Sequence, residues 1–170
     1  SYTATGLSNT SIGTNNLVVS ATAGDQSLSG ANPLTTLSAT TSYTVLNHSN
    51  AALTLAGGSG QTIITGGSLG AVTFSLTNSG SNRSALDVNT LSNLTGTTGS
   101  AVVASNGSAT YTYNGTASSS VGTQTLSVSL NAGDQQSLSG ATIGLSTLSG
   151  SMTYTVLDHS NAALTLASVN

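Results

Sequence analysis

His48 and His159, Asp25, Asp87, Asp134 and Asp158, and Arg83 make up all the charge-bearing side-chain chemistry of this chain apart from its tyrosines. His48 lies in YTVLNHSNAALTLA (residues 43–56) and His159 in YTVLDHSNAALTLA (residues 154–167), stretches that differ only at Asn47 against Asp158. An imidazole beside a carboxylate can ligate a metal or switch near neutral pH. Asn47 deprives one copy of that acidic neighbour, so the pattern favours a structural histidine that packs or hydrogen-bonds at a domain junction. Asp25 and Asp134 occupy matching AGDQ turns. Calcium takes six to eight oxygen ligands, usually from several carboxylates in one loop; each turn offers one, so an Asx-type turn is preferred to a weak calcium site at Asp25 or Asp134. Arg83 and Asp87, four apart, suit a pair across a bend worth about 0–1 kcal/mol. Hydrolysis needs nucleophile, base and orienting acid in contact. Asp158 and His159, adjacent on a strand, would point to opposite sides, and serine is too abundant for a coincidence to inform. The expectation is no enzyme, with no catalytic, cofactor-binding or metal residue.

The elements that position these residues are repeated. SIGTNNLVVSATAGDQSLSGA (residues 11–31) matches SVGTQTLSVSLNAGDQQSLSGA (residues 120–141) once Gln136 is taken as an insertion. Tyr2, Gly6, Gly13, Leu17 and Asp25 fall opposite Tyr111, Gly115, Gly122, Leu126 and Asp134 at an offset of 109, which grows to 111 at Tyr43 and Tyr154. Residues 57–108 have no counterpart. A period of this size exceeds the roughly 20–50 residues of solenoid repeats and suits a small domain with its own core. The chain therefore divides into the closing half of one repeat (1–50), a complete repeat (51–160) and the opening strand of another (161–170).

Composition limits what such an array can do. Charged residues are 3% of the chain, Lys and Glu are absent, and the net charge is −3; about a third of the residues are Ser or Thr, which wet the surface instead. Disordered chains combine low hydrophobicity with high net charge, whereas here 36% of residues are hydrophobic and spaced periodically. Without a basic cluster there is no footprint for nucleic-acid phosphates or anionic lipid. No apolar run approaches a membrane span, and SYTATG lacks the regions of a signal peptide, so an exported form would be mature chain. Zero cysteine leaves the fold to burial and hydrogen bonds. Sequons beginning at Asn9, Asn47, Asn82, Asn93, Asn106 and Asn114 are no more than this Asn-, Ser- and Thr-rich composition yields by chance.

Period-two alternation predicts strands with one buried face. Leu126, Val128 and Leu130 alternate with hydroxyls, as do Leu17, Val19 and Ala21 in the copy; Val72, Phe74 and Leu76, Leu53 and Leu55, Tyr111 and Tyr113, and Tyr43 and Val45 continue the pattern. QTIITG and SAVVAS are shorter candidates, and GGSG, TGGSLG, NSGSN and NGS supply turns. No window has helical spacing, and Thr, Val and Ile favour sheet. Seven or eight short strands per repeat predict an all-β, immunoglobulin-like β-sandwich in tandem. The alternative is a β-solenoid, which would need similarity between adjacent rungs.

The succession SLGAVTFSLTNSGSNRSALDVNTLSNL, ATYTYNGT, LSVSLNAGDQQSLSGA and TYTVLDHSNAAL resembles the immunoglobulin-like repeats of large bacterial surface and extracellular proteins, the choice-of-anchor D and ASPM–SPD-2–Hydin-like type. The resemblance implies a sandwich fold, export and a structural or adhesive, non-enzymatic role. The chain departs from it in being poorer in charge.

On this map Asn47, His48, Ser49 and Asn50, and again Asp158, His159, Ser160 and Asn161, are inter-domain junctions too short to behave as flexible coil. The expected function is a structural segment of an extracellular bacterial filament or cell-surface stalk. Its partners are identical chains or domains, packed head-to-tail and laterally, with neither nucleic acid bound nor membrane entered. Residues 1–50 would leave open edges for a neighbouring chain or further sequence to complete. The alternatives are an adhesin that recognises a glycan or surface protein through its loops, and a phage or viral fibre.

Overall fold

The protein, seen in a computed structural model, is described at residues 11–26, 28–32, 34–141 and 144–166. Tyr2, Gly6, Asn9 and the end of the C-terminal segment beyond residue 166 lie outside these. Among the described residues the chain is all-β, without a helix, in three open sheets. It divides into two units, Ser1–Asn47 and His48–Asn170. The division falls earlier than the boundary after residue 50 read from the sequence, because His48, Ser49 and Asn50 are hydrogen-bonded into the second unit.

Among its described residues the first unit forms one hairpin, β1 (Gly13–Ala23) against β2 (Thr35–Val45). The second contains β3 (Ala51–Gly57), β4 (Thr62–Ile64), β5 (Thr73–Asn78), β6 (Leu86–Ser92), β7 (Leu94–Thr95), β8 (Gly99–Val103), β9 (Ser108–Tyr113), β10 (Gly122–Asp134) and β11 (Ser146–Leu157). These nine strands exceed the seven or eight read from the alternation because β4 and β7 are too short to show a period. One sheet has the order β4-β11-β10-β6-β8 and the other β3-β5-β9-β7. Every pairing is antiparallel except β4 with β11; stacked parallel rungs, the mark of a β-solenoid, are not how these strands pair.

The sequence repeat is also a register repeat. Gly122 faces Val156 and Ala132 faces Ser146 on β10–β11, as Gly13 faces Val45 and Ala23 faces Thr35 on β1–β2. The same alternating residues thus reach the same face of both hairpins, since one slipped residue would invert every side chain.

Burial separates the copies. In the second unit Phe74, Leu76 and Tyr111 from one sheet, with Val72 just before β5, and Leu86, Val88, Leu126, Val128, Leu130, Met152, Tyr154 and Val156 from the other form one core. The layers meet closely at Gly150, where a Cβ would stand 2.7 Å from Phe74 Cε1; glycine lets the ring lie against the β11 backbone. Leu53 packs on this core. Leu55, expected inward beside it, lies at the margin with 36% exposure, where the β3–β5 register shifts between Leu55 and Gly57. In the first unit Val19, the repeat counterpart of Val128, is 38% exposed against 3%. Residues 161–166, expected to open a further repeat, form no strand, and Leu164 and Leu166 are 95% and 96% exposed.

Val128→Ala should therefore cost about 1–3 kcal/mol in urea unfolding of the full chain, and Val19→Ala no more than about 0.5 kcal/mol. Equal costs at the two positions would contradict the contrast between a covered and an open copy of the hairpin.

Candidate docking site at the head of the second unit

Polar side chains that were scattered along the sequence converge where the chain enters the second unit. β10 ends at Asp134, whose side chain is 2% exposed. A carboxylate taken from water is costly unless charge-assisted hydrogen bonds replace its hydration. His48 Nδ1 lies 2.6 Å from Oδ2, and Ser49 N donates to Oδ1 at 2.6 Å. As the acceptor, the carboxylate selects the imidazole tautomer with its proton on Nδ1. The ring itself is half-exposed, with one nitrogen committed to the buried acid.

The adjoining backbone is held as firmly. Asn50 N donates to Asn78 Oδ1 (3.0 Å), and Ser79 N donates to the Asn50 carbonyl (3.0 Å). Asn78 is fully buried and donates through Nδ2 to the Ser84 carbonyl (2.9 Å). Arg83, the chain's one basic residue apart from histidine, donates through Nη1 to the His48 carbonyl (2.7 Å). Its Nε is buried without a hydrogen-bond partner among the described residues. Gly80, at φ 103°, clears the space that the guanidinium fills, since a Cβ there would strike Arg83 Nε. Gln136 Nε2 closes the other side by donating to the Asp134 carbonyl (2.6 Å).

Asp87 organises the neighbouring edge. Ser100 Oγ and Ala101 N donate to its Oδ1, each at 2.8 Å, and Gln136 N donates to Oδ2 at 2.9 Å. Ala101 has φ 54°, a left-handed conformation unfavourable to a residue with a Cβ, at the register shift between β6 and β8. The carboxylate thus fastens this bulge to the turn after β10. Desolvation, the largest single influence, pushes the Asp87 pKa up, but the bonds from Gln136, Ala101 and Ser100 together outweigh it and leave the pKa below the ordinary aspartate value.

Several sequence expectations change here. Arg83 and Asp87 do not pair: the guanidinium turns to His48 and the carboxylate to Ser100, Ala101 and Gln136. Asp134 makes a long-range clamp instead of an Asx turn, because a β10 that runs on to Asp134 carries its carboxylate into the buried end. Asp25 remains local and exposed, accepting from Asn32 N and Nδ2, both at 3.0 Å. Of the eight junction residues, His48, Ser49 and Asn50 are brought into the site, and Asn47 belongs to the first unit. Asp158, His159, Ser160 and Asn161 are all exposed, with His159 N donating to Asp158 Oδ1 at 2.8 Å. Sequence reasoning missed Asn78 and Ser84, which carry no pattern of their own. It treated the HSN and AGDQ motifs apart, although both recur in each copy.

No group of three or more His, Cys, Asp or Glu side chains placed to hold a metal occurs among the described residues. At the opposite end, a groove of about 550 Å³ is lined by Gly66–Gly70, Tyr113 and Gly115–Ser119. It has no charged group, and the Tyr113 hydroxyl is already donated to the Thr116 carbonyl at 3.1 Å. What the clamp does is hold a chain segment. Comparison with protein families, with characterised proteins and with solved structures finds no match to this chain.

His48→Ala should lower the stability of the second unit by about 1–3 kcal/mol, because Asp134 then keeps its burial but loses a donor; chemical denaturation measures this. Asp87 has its folded pKa depressed, so its contribution is fully present above the ordinary aspartate pKa, near about 4, and is lost as pH falls through the lower folded value. Asp87→Asn should therefore flatten the fall in melting temperature below about pH 4, read by circular dichroism.

Proposed function

We propose that this chain is a structural, non-enzymatic segment of an extracellular filament or surface stalk, assembled head-to-tail from immunoglobulin-like repeats. The observation that carries the reading is the clamp, which fastens the entering chain to the buried end of a repeat whose sequence and register recur. Within the second unit the entering segment is held by the His48–Asp134 pair, by Ser49 and by Arg83, which suits a chain that carries load. The charge-poor, hydroxyl-rich surface supports close packing of such arrays, since neighbouring copies repel weakly and their hydroxyls can bond across contacts. The resemblance to choice-of-anchor D and ASPM–SPD-2–Hydin-like repeats agrees with this reading and with location at a bacterial surface.

Durability accompanies it. Trypsin cleaves after Lys and Arg, and Arg83, the only such residue, lies partly buried under the His48 carbonyl. The native protein should remain intact through prolonged tryptic digestion, followed by intact mass, and Arg83→Gln should leave that resistance unchanged. The assembly itself is tested by negative-stain microscopy of material isolated from its source. Thin filaments or stalks with an axial repeat of one domain are expected; isolated globular particles would overturn the reading.

A further inference from the structure

Residues 48–56 and 159–167 are identical, HSNAALTLA in both places, yet the copies differ in state. The first is seated: His48 and Ser49 on Asp134, Asn50 on Asn78, and Ala51–Leu55 paired with β5 from Asn78 to Phe74. The second, described as far as residue 166, is exposed along its length without strand structure. It cannot take the same seat in its own unit. β11 ends at Leu157, beside the start of β10, since Gly122 pairs with Val156. Asp134 lies twelve residues further along β10, about 40 Å at strand rise. His159 follows Val156 by only three residues, a reach of about 10 Å.

We propose that residues 159–166 are a docking strand for a second copy of this repeat: His159 and Ser160 engage the carboxylate that ends its β10, and Ala162–Leu166 pair with its β5 edge. The occupant is identified by the identical segment already seated in the second unit. The same nine residues that fit the Asp134, Asn78 and β5 surface once will fit it again in a copy whose own residues 48–55 have left it. This deepens the head-to-tail reading and rests on it, naming the partner and the contacts.

The test vacates the seat in the full chain. Leu53→Asp disables the resident strand, so the C-terminal strand of one molecule becomes the fitting occupant of the next. Sedimentation of this variant should show oligomers that grow with concentration, whereas Leu53→Asp combined with Leu164→Asp should remain monomeric. His159→Ala in the Leu53→Asp background should weaken association by at least about tenfold, from loss of a hydrogen bond to a charged group. The synthetic peptide HSNAALTLA should restore the circular dichroism of the Leu53→Asp/Leu164→Asp chain, and a scrambled peptide should not. A monomeric Leu53→Asp chain at all concentrations, oligomers that persist with Leu164→Asp, or equal rescue by the scrambled peptide would each overturn the proposal. Because the readout is association of engineered chains, its failure is distinguishable from a failure to find filaments in native material.

Discussion

A buried carboxylate constrains the second unit more than any other group. Asp134 ends the longest strand with its side chain enclosed, and an enclosed anion without donors would be expelled or protonated. The chain meets that demand by returning His48 and Ser49 from 86 and 85 residues away. Once they are fixed, Asn50 lies against Asn78 and Ala51 opposite the same residue, which sets the first pair of the β3–β5 ladder. The position of one acid thus determines where the edge strand begins.

The buried network is stabilising only as a complete set. Asn78 accepts from the incoming backbone and donates to Ser84, and the Ser84 hydroxyl accepts from Gln135 N at 3.0 Å. Polar groups this deep favour one arrangement strongly because each wrong arrangement leaves a donor or acceptor dry. Apolar packing between the sheets tolerates small shifts more readily, so the core supplies most of the cohesion and the polar end supplies alignment.

Much of the strand pattern was legible in the sequence, for a simple reason. Leu126, Val128 and Leu130 alternate with hydroxyls because β10 has one covered face, and alternation needs only neighbours in sequence. The sequence repeat was legible, and the structure adds that its two copies, β1–β2 and β10–β11, share one ladder register. The clamp was not, because His48 and Asp134 are far apart in sequence and nothing local distinguishes a buried aspartate from the exposed Asp25 in the same AGDQ turn. Arg83 and Asp87 misled for the opposite reason: their spacing suggested a mutual pair, while the Ser100 hydroxyl and Ala101 N–H for the acid and the His48 carbonyl for the guanidinium were better-placed partners. Leu164 and Leu166 repeat Leu53 and Leu55 faithfully, but a strand needs an edge to pair with, and sequence identity cannot supply one.

The opposed ends of β3 and β11 have a mechanical consequence. The chain enters the second unit beside Asp134 and leaves near the other end of β10, so tension between these points runs along the strands. Ladder hydrogen bonds lie perpendicular to antiparallel strands, and eleven residue pairs join β10 to β11. A pull in that direction shears the whole set together instead of unzipping it one bond at a time, and rupture then requires many bonds to fail at once.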